Sequence, residues 1–268
     1  MSASTFAGSQ VAAGNPSVRF RPYINEAWFD LLKMLRLPVY SVASIAFPVM
    51  FYVLFGVIFG KQGSGGSDVA RYLLASYGAF GVIGASLFGF GVGIAMERGQ
   101  GWLQVKRASP MPPAAYFVAK LFTCLAFSTV IVLALILVGV TAGGVHLSLL
   151  QGTSLFMVLV LGSIPFCVLG LAIAYFVGPN SAPAIVNLLY LPLSFCSGLW
   201  LPVNMLPHFL QRIAPALPPY HLGQLALLVI GYGRGTILNH VLGLLSSAAI
   251  GLGVAWLGFR RDEQKTYG

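Results

Sequence analysis

The chain is poor in charge. Asp, Glu, Lys and Arg make up 8% of its 268 residues, where a soluble domain carries about 25%. With 57% hydrophobic residues and a mean hydropathy of +0.86, this excludes an ordinary water-soluble fold. Acid is scarcest: six Asp and Glu stand against fifteen Lys and Arg, a net charge of +9. The basic excess is dispersed over short gaps between apolar runs and forms no continuous basic face, so nucleic acid is excluded as a partner. Only three cysteines occur, Cys124, Cys167 and Cys196, each inside an apolar run and without metal-ligand spacing. Their odd number excludes a closed disulfide set, and they are expected to be small packing residues. No apolar run alternates with period two, which excludes a membrane β-barrel. Residues 1–18 lack the cationic start, apolar core and cleavage site of a signal peptide. Rich in Ser, Ala and Gly, they read as a disordered cytoplasmic tail.

Six apolar runs of bilayer-spanning length are present, about 20 residues being needed. They are 39–60, 72–96, 114–142, 153–177, 183–201 and 237–259. Backbone groups in lipid must be satisfied internally, so these runs are helices and the fold is an all-α integral membrane protein with six transmembrane helices. Orientation follows from the basic residues. Arg19, Arg21, Lys33, Arg36, Arg98, Lys106, Arg107, Lys120, Arg260, Arg261 and Lys265 fall on one side; Lys61, Arg71, Arg212 and Arg234 fall on the other. The richer side is the cytoplasmic one, so both termini are expected in the cytoplasm.

Three further segments do not span. In 19–37, Phe20, Ile24, Ala27, Trp28, Leu31, Leu32 and Leu35 recur at helical spacing with Arg21, Glu26, Asp30 and Lys33 between them. This predicts an amphipathic interfacial helix on the inner membrane surface, carrying Trp28, Lys33 and Arg36 and broken by Pro38. Segment 61–68 is a Gly/Ser turn on the outer side. It is not a phosphate-binding P-loop, because Phe55 and Gln62 stand where Gly and Ser or Thr are needed. Segment 202–236 is too long for a turn and too apolar for a solvated loop. It predicts two short re-entrant helices, 204–214 and 221–230, bent at Pro215, Pro218 and Pro219, and an outer gate.

The interiors of the spans hold no Asp, Glu, Lys or Arg, and His146, His208, His221 and His240 fall in external loops or at a helix end. Catalytic and proton-coupled machinery is therefore not visible, and no catalytic or metal-binding residue is expected. Uphill transport would draw its energy from a partner. Phe80, Phe88 and Phe90 read as packing residues, and Pro165 and Pro192 as kinks.

The gap from Glu97 to Pro113 is the densest in charge. Glu97 and Arg98 close the second span, Gly99 and Gly101 permit a sharp turn, and Trp102–Ala108 allows about two helical turns ended by Ser109-Pro110. On the residues alone, a docking helix for a soluble partner and a solvated loop remain equally open. The gap resembles the cytoplasmic coupling segment of ABC-2 type transporter permeases at Glu97, Arg98, Gly101, Leu103, Ser109, Pro110 and Lys120. A second resemblance lies at Ser197-Gly198-Leu199-Trp200-Leu201-Pro202, Leu206-Pro207 and Pro218-Pro219-Tyr220-His221. With the six spans, the inside termini and the amphipathic N-terminal helix, the resemblance covers about residues 19–262.

The resemblance implies a type V ABC exporter-like fold, with a six-span ABC-2 transmembrane domain over 38–262 in the cytoplasmic (inner) membrane of a bacterium. It implies that Glu97, Arg98, Gly101, Trp102, Leu103, Lys106, Arg107, Ser109 and Pro110 couple to a separate P-loop ATPase subunit. ATP and Mg would be bound on that partner and no cofactor on this chain. It further implies pairing with a second copy or a related permease, with the first, second and fifth spans at the interface and substrate path. The outer gate would comprise Ser197, Gly198, Trp200, Pro202, Pro207, Tyr220 and His221. The expected cargo is lipophilic or amphiphilic: a drug-like molecule, a lipid or a lipid-linked glycan. A passive channel or secondary carrier, a histidine-dependent membrane transferase and an assembly scaffold are the alternative readings.

Overall fold

The structure, a computed structural model, describes residues 16–62, 66–108 and 112–266. Every regular element among them is helical. Helix α1 is Pro16–Leu35. Helix α2, Pro38–Phe51, opens with Pro38 in its first turn, where a missing N–H costs nothing, and runs on through a π-helical turn at Tyr52–Ile58. Helix α3 is the long Gly66–Gly99, interrupted by a second π turn at Leu87–Val92. Helix α4 is Trp102–Ala108 and α5 is Pro113–Thr141. Helix α6, Leu149–Gly162, starts from a capping box in which Ser148 and Gln151 satisfy each other's backbone N–H. It breaks into α7, Ile164–Phe176, beside Pro165. Helix α8 is Ala182–Cys196, α9 His208–Ile213, α10 Pro218–Val229 and α11 Ile237–Thr266.

Five stretches are long and apolar enough to cross a bilayer: Tyr40–Ile58, Gly66–Gly99, Ala114–Thr141, Leu149–Phe176 and Ile237–Arg261. The chain is thus a multi-pass helical membrane protein. The fifth predicted span, 183–201, falls short: α8 has 15 residues, about 22 Å at 1.5 Å per residue, where the hydrocarbon core is about 30 Å. Gly198, at φ +79°, ends the helical path, and 197–202 turns away instead. The sequence reading of Pro192 as a kink is not needed to end α8, which runs on past it.

Helix α3 is the hub, packed against α2, α5, α6, α7 and α10. Its apolar window is 72% buried, against 28% for Tyr40–Ile58 and for Ile237–Arg261, so those two spans present most of their surface outward. Tyr77, Phe80 and Ile83 of α3 are fully enclosed. Helix α11 packs extensively along α7. Cys124 of α5 and Cys167 of α7 are not isolated packing residues: their sulfurs lie 3.0 Å apart, and Ser86 Oγ of α3 is 3.2 Å from Cys124.

Helix α1 lies against α5 with an inverted polarity. Its buried positions are Asp30 and Met34, while Ile24, Trp28, Phe29 and Leu35 are exposed. The apolar stripe therefore faces away from the protein, as an interfacial helix requires, and the charged side faces in. The expected tail at 1–18 falls almost wholly outside the described residues.

Candidate functional site

At the end of α3 where the chain turns into α4, four elements converge on a buried ion cluster. Glu97, in the last turn of α3, accepts at Oε1 from Lys33 Nζ of α1 (2.5 Å) and Lys120 Nζ of α5 (2.8 Å). Its Oε2 accepts from the Tyr116 hydroxyl at 2.6 Å. Lys120 Nζ also donates to Asp30 Oδ1 at 2.6 Å. Asp30, Glu97 and Lys120 are 6%, 4% and 2% exposed, so this is an interior assembly. Two carboxylates balance two ammonium groups, which is what allows burial of charge in a low dielectric. Asp30 Oδ2 has no partner among the described residues.

The short helix α4 is tied into the same assembly. Lys106 donates to Glu26 of α1 and lies 4.5 Å from the centre of the Tyr116 ring. Gly101, at φ +76°, makes the turn from α3 into α4. Gly99 is helical rather than part of the turn; a Cβ there would stand 2.4 Å from Pro179, so its role is close packing. Arg98 reaches the other way, donating to the carbonyls of Tyr175 (2.8 Å) and Val177 (3.0 Å) at the end of α7. A cation there satisfies orphan carbonyls and complements the helix dipole. Trp102 is exposed, and Leu103 is partly buried against the core. Ser109 and Pro110, and the side chain of Arg107, lie outside the described residues.

The expectation that the spans carry no interior charge is corrected by Lys120. It lies one to two turns inside α5, fully buried, because two carboxylates from α1 and α3 meet it there. Sequence reading placed Glu97, Lys33, Lys106 and Lys120 but missed Asp30, Glu26 and Tyr116. Helical spacing sets Asp30 and Glu26 only between the apolar positions of α1 and gives them no partner, and a tyrosine near a span end carries no signal of its own.

At the opposite end of the bundle, the 197–221 segment forms a compact cap. A Cβ on Gly198 would meet Val203 Cγ2 at 2.2 Å. Trp200 packs on Phe51 and Phe80, with ring centres 5.3 and 5.7 Å apart, and its indole N–H has no partner among the described residues. Ser197 is buried. Pro202 and Pro207 precede the 3₁₀ turn Val203–Met205 and α9. Tyr220 stacks edge-on against His221. His221 Nδ1 is 3.1 Å from His240 Nδ1, and His240 Nε2 is 2.7 Å from the Arg234 carbonyl. The carbonyl can only accept, so His240 Nε2–H donates to it, and in the neutral pair His221 Nδ1–H donates to His240. Burial, and then the neighbouring His240, push the His221 imidazole below its ordinary range.

The geometry defines a helical membrane protein whose one end is clamped by charge to two peripheral helices. Comparison with known proteins gives it a family. The ABC-2 type transporter family matches residues 26–230, and the chain belongs to that family. A relative is the Bacillus subtilis (strain 168) protein named "Putative transport permease YvfS". It is 26% identical over 210 residues, covering 78% of this chain and 86% of that protein.

Proposed function

We propose that the chain is the transmembrane permease subunit of an ATP-driven ABC exporter. It sits in a bacterial cytoplasmic membrane with six passes and both termini inside, α8 being the short fifth pass and α9 and α10 re-entrant helices at the outer gate. A separate P-loop ATPase binds ATP and Mg and docks on α4 and α1. A second copy or a related permease completes the path at α2, α3 and α8. The cargo is lipophilic or amphiphilic, a drug-like molecule, a lipid or a lipid-linked glycan, and moves outward from the cytoplasm or inner leaflet.

The observation that carries this reading is the ion cluster. Lys106 ties α4 to α1, and α1 is tied through Asp30 and Lys33 to Lys120 and Glu97 of the spans. A displacement of α4 is thereby delivered to the ends of α3 and α5 rather than absorbed in a loop. The mostly outward-facing α2 supports a missing permease half. The test is an affinity pull-down of the tagged chain from its native membrane with mass spectrometry of what co-purifies. A stoichiometric soluble ATPase bearing a P-loop is expected. A chain that purifies alone as a stable oligomer would overturn the reading.

A further inference from the structure

A cleft of about 470 Å³ opens on the flank of the bundle, between α7, α8 and α11 and floored by α3. Every residue that lines it is apolar apart from Tyr190, whose hydroxyl is turned away and donates to the Phe80 carbonyl at 2.7 Å. The α7 wall runs from Phe166 to Val177, about 16 Å along the axis at 1.5 Å per residue. Pro218 and Pro219 of α10 close the end toward the cap. The cleft therefore runs along most of the length of α7, on the outside of the bundle. It exists because α8 leans on the π turn of α3 and barely touches α7 or α11.

An apolar lining of this kind offers dispersion contacts along its whole length, and gives water no polar partner. The occupant it fits is a hydrocarbon chain. The far end of the cleft fixes what that chain is attached to. Phe176 lines this end, and the Arg261 guanidinium stands 5.9 Å from the Phe176 ring. Arg260 is the next residue, stacked 3.7 Å over Trp256, and both arginines are exposed. A hydrocarbon wall followed by the Arg261 cation complements one tail and the phosphate of a lipid.

We infer that the cleft is a binding site for a membrane phospholipid with an anionic headgroup. One acyl chain lies along α7, and the phosphate is held by Arg261 in the leaflet at the C-terminal end of α11. The lipid acts as a wedge that holds α8 off α7 and α11. The site is independent of the coupling cluster and of which cargo is moved.

The test uses the purified full-length chain in lipid nanodiscs. These contain photoactivatable phosphatidylglycerol or phosphatidylcholine with a diazirine on one acyl chain, and labelled residues are mapped by mass spectrometry. Labelling should concentrate on cleft residues such as Leu169, Leu189 and Val254, above the lipid-exposed Leu133 and Leu137 of α5. Val254→Trp, which fills the mouth of the cleft, should remove the cleft labelling and leave that of α5. Arg261→Glu should keep tail labelling by phosphatidylcholine but lower the preference for phosphatidylglycerol at least fivefold, the equivalent of about 1 kcal/mol for the one cation lost, before the added carboxylate is counted. Labelling spread evenly over cleft and α5, or unmoved by Val254→Trp, would overturn the site. An unchanged headgroup preference in Arg261→Glu would overturn the assignment of the anion.

Discussion

Lys120 shows what a single buried charge costs when its surroundings change. Replacing it with Met leaves buried Asp30 without a cation and Glu97 with Lys33 alone, and should destabilise the protein by about 3–5 kcal/mol. Exchanging all three together for Asn, Gln and Met removes the uncompensated charge and should cost less than the single change; thermal unfolding in detergent reads both. Half of this cluster was legible in the sequence. Glu97 and Lys120 stand out because they interrupt or border apolar runs. Asp30 does not, because helical periodicity sorts residues by hydropathy and assumes the polar side faces water. In α1 the polar side faces the protein and lipid takes the apolar side, so the sign of the inference reverses. His221 carries a pH prediction. Its imidazole is held below the ordinary value in the folded state, so between that lower value and the unfolded value of about 6.5 the unfolded chain binds the extra proton. Stability therefore falls as pH drops below the unfolded value and is indifferent to it above. The difference in melting temperature between wild type and His221→Gln should follow that course and be flat at neutral pH and higher.

At the scale of elements, α4 and α1 are expected to work as one lever. Lys106→Glu should weaken stimulation of the partner ATPase by breaking the contact with Glu26, and the exchange Lys106→Glu with Glu26→Lys should restore much of it. Equal loss in the single and double variants would show that Lys106 acts on the partner and not on α1. Arg98 is a poorer probe of coupling, since it holds the end of α7. Gly198 is the corresponding probe at the other end. Any side chain there meets both a positive φ and Val203, so Gly198→Val should impair transport more than assembly of the complex, as read by transport assay against co-purification. The helices themselves were largely legible. Trp102–Ala108 is a helix of the predicted extent, and the segment after α8 has its bend at the predicted prolines. The end of α8 was not legible, because Ser197–Leu201 is apolar enough to continue a span and only the backbone at Gly198 turns it aside.

For the whole molecule, topology rests on where the cations gather. In a chain whose native cysteines are replaced by alanine, a cysteine at Met205 should react with an impermeant maleimide from outside the cell, and one at Trp102 only after the membrane is opened. The reverse would invert the proposed orientation. What the chain's composition could not convey is the irregularity of its central pillar. In the π turn at Leu87–Val92 each hydrogen-bonded loop encloses one residue more than an α turn does. The pillar therefore stores a spare residue between the packed upper half of α3 and the Glu97 end. Loss of one residue within 87–92 relaxes to plain α-helix and leaves both ends in register. The same loss within 66–86 rotates Glu97 by about 100° away from Lys120. The π turn of α3 is thus the place where this chain can lose a residue without losing its clamp, and a scan of single deletions along the helix would find survival there and failure in the packed stretch above it.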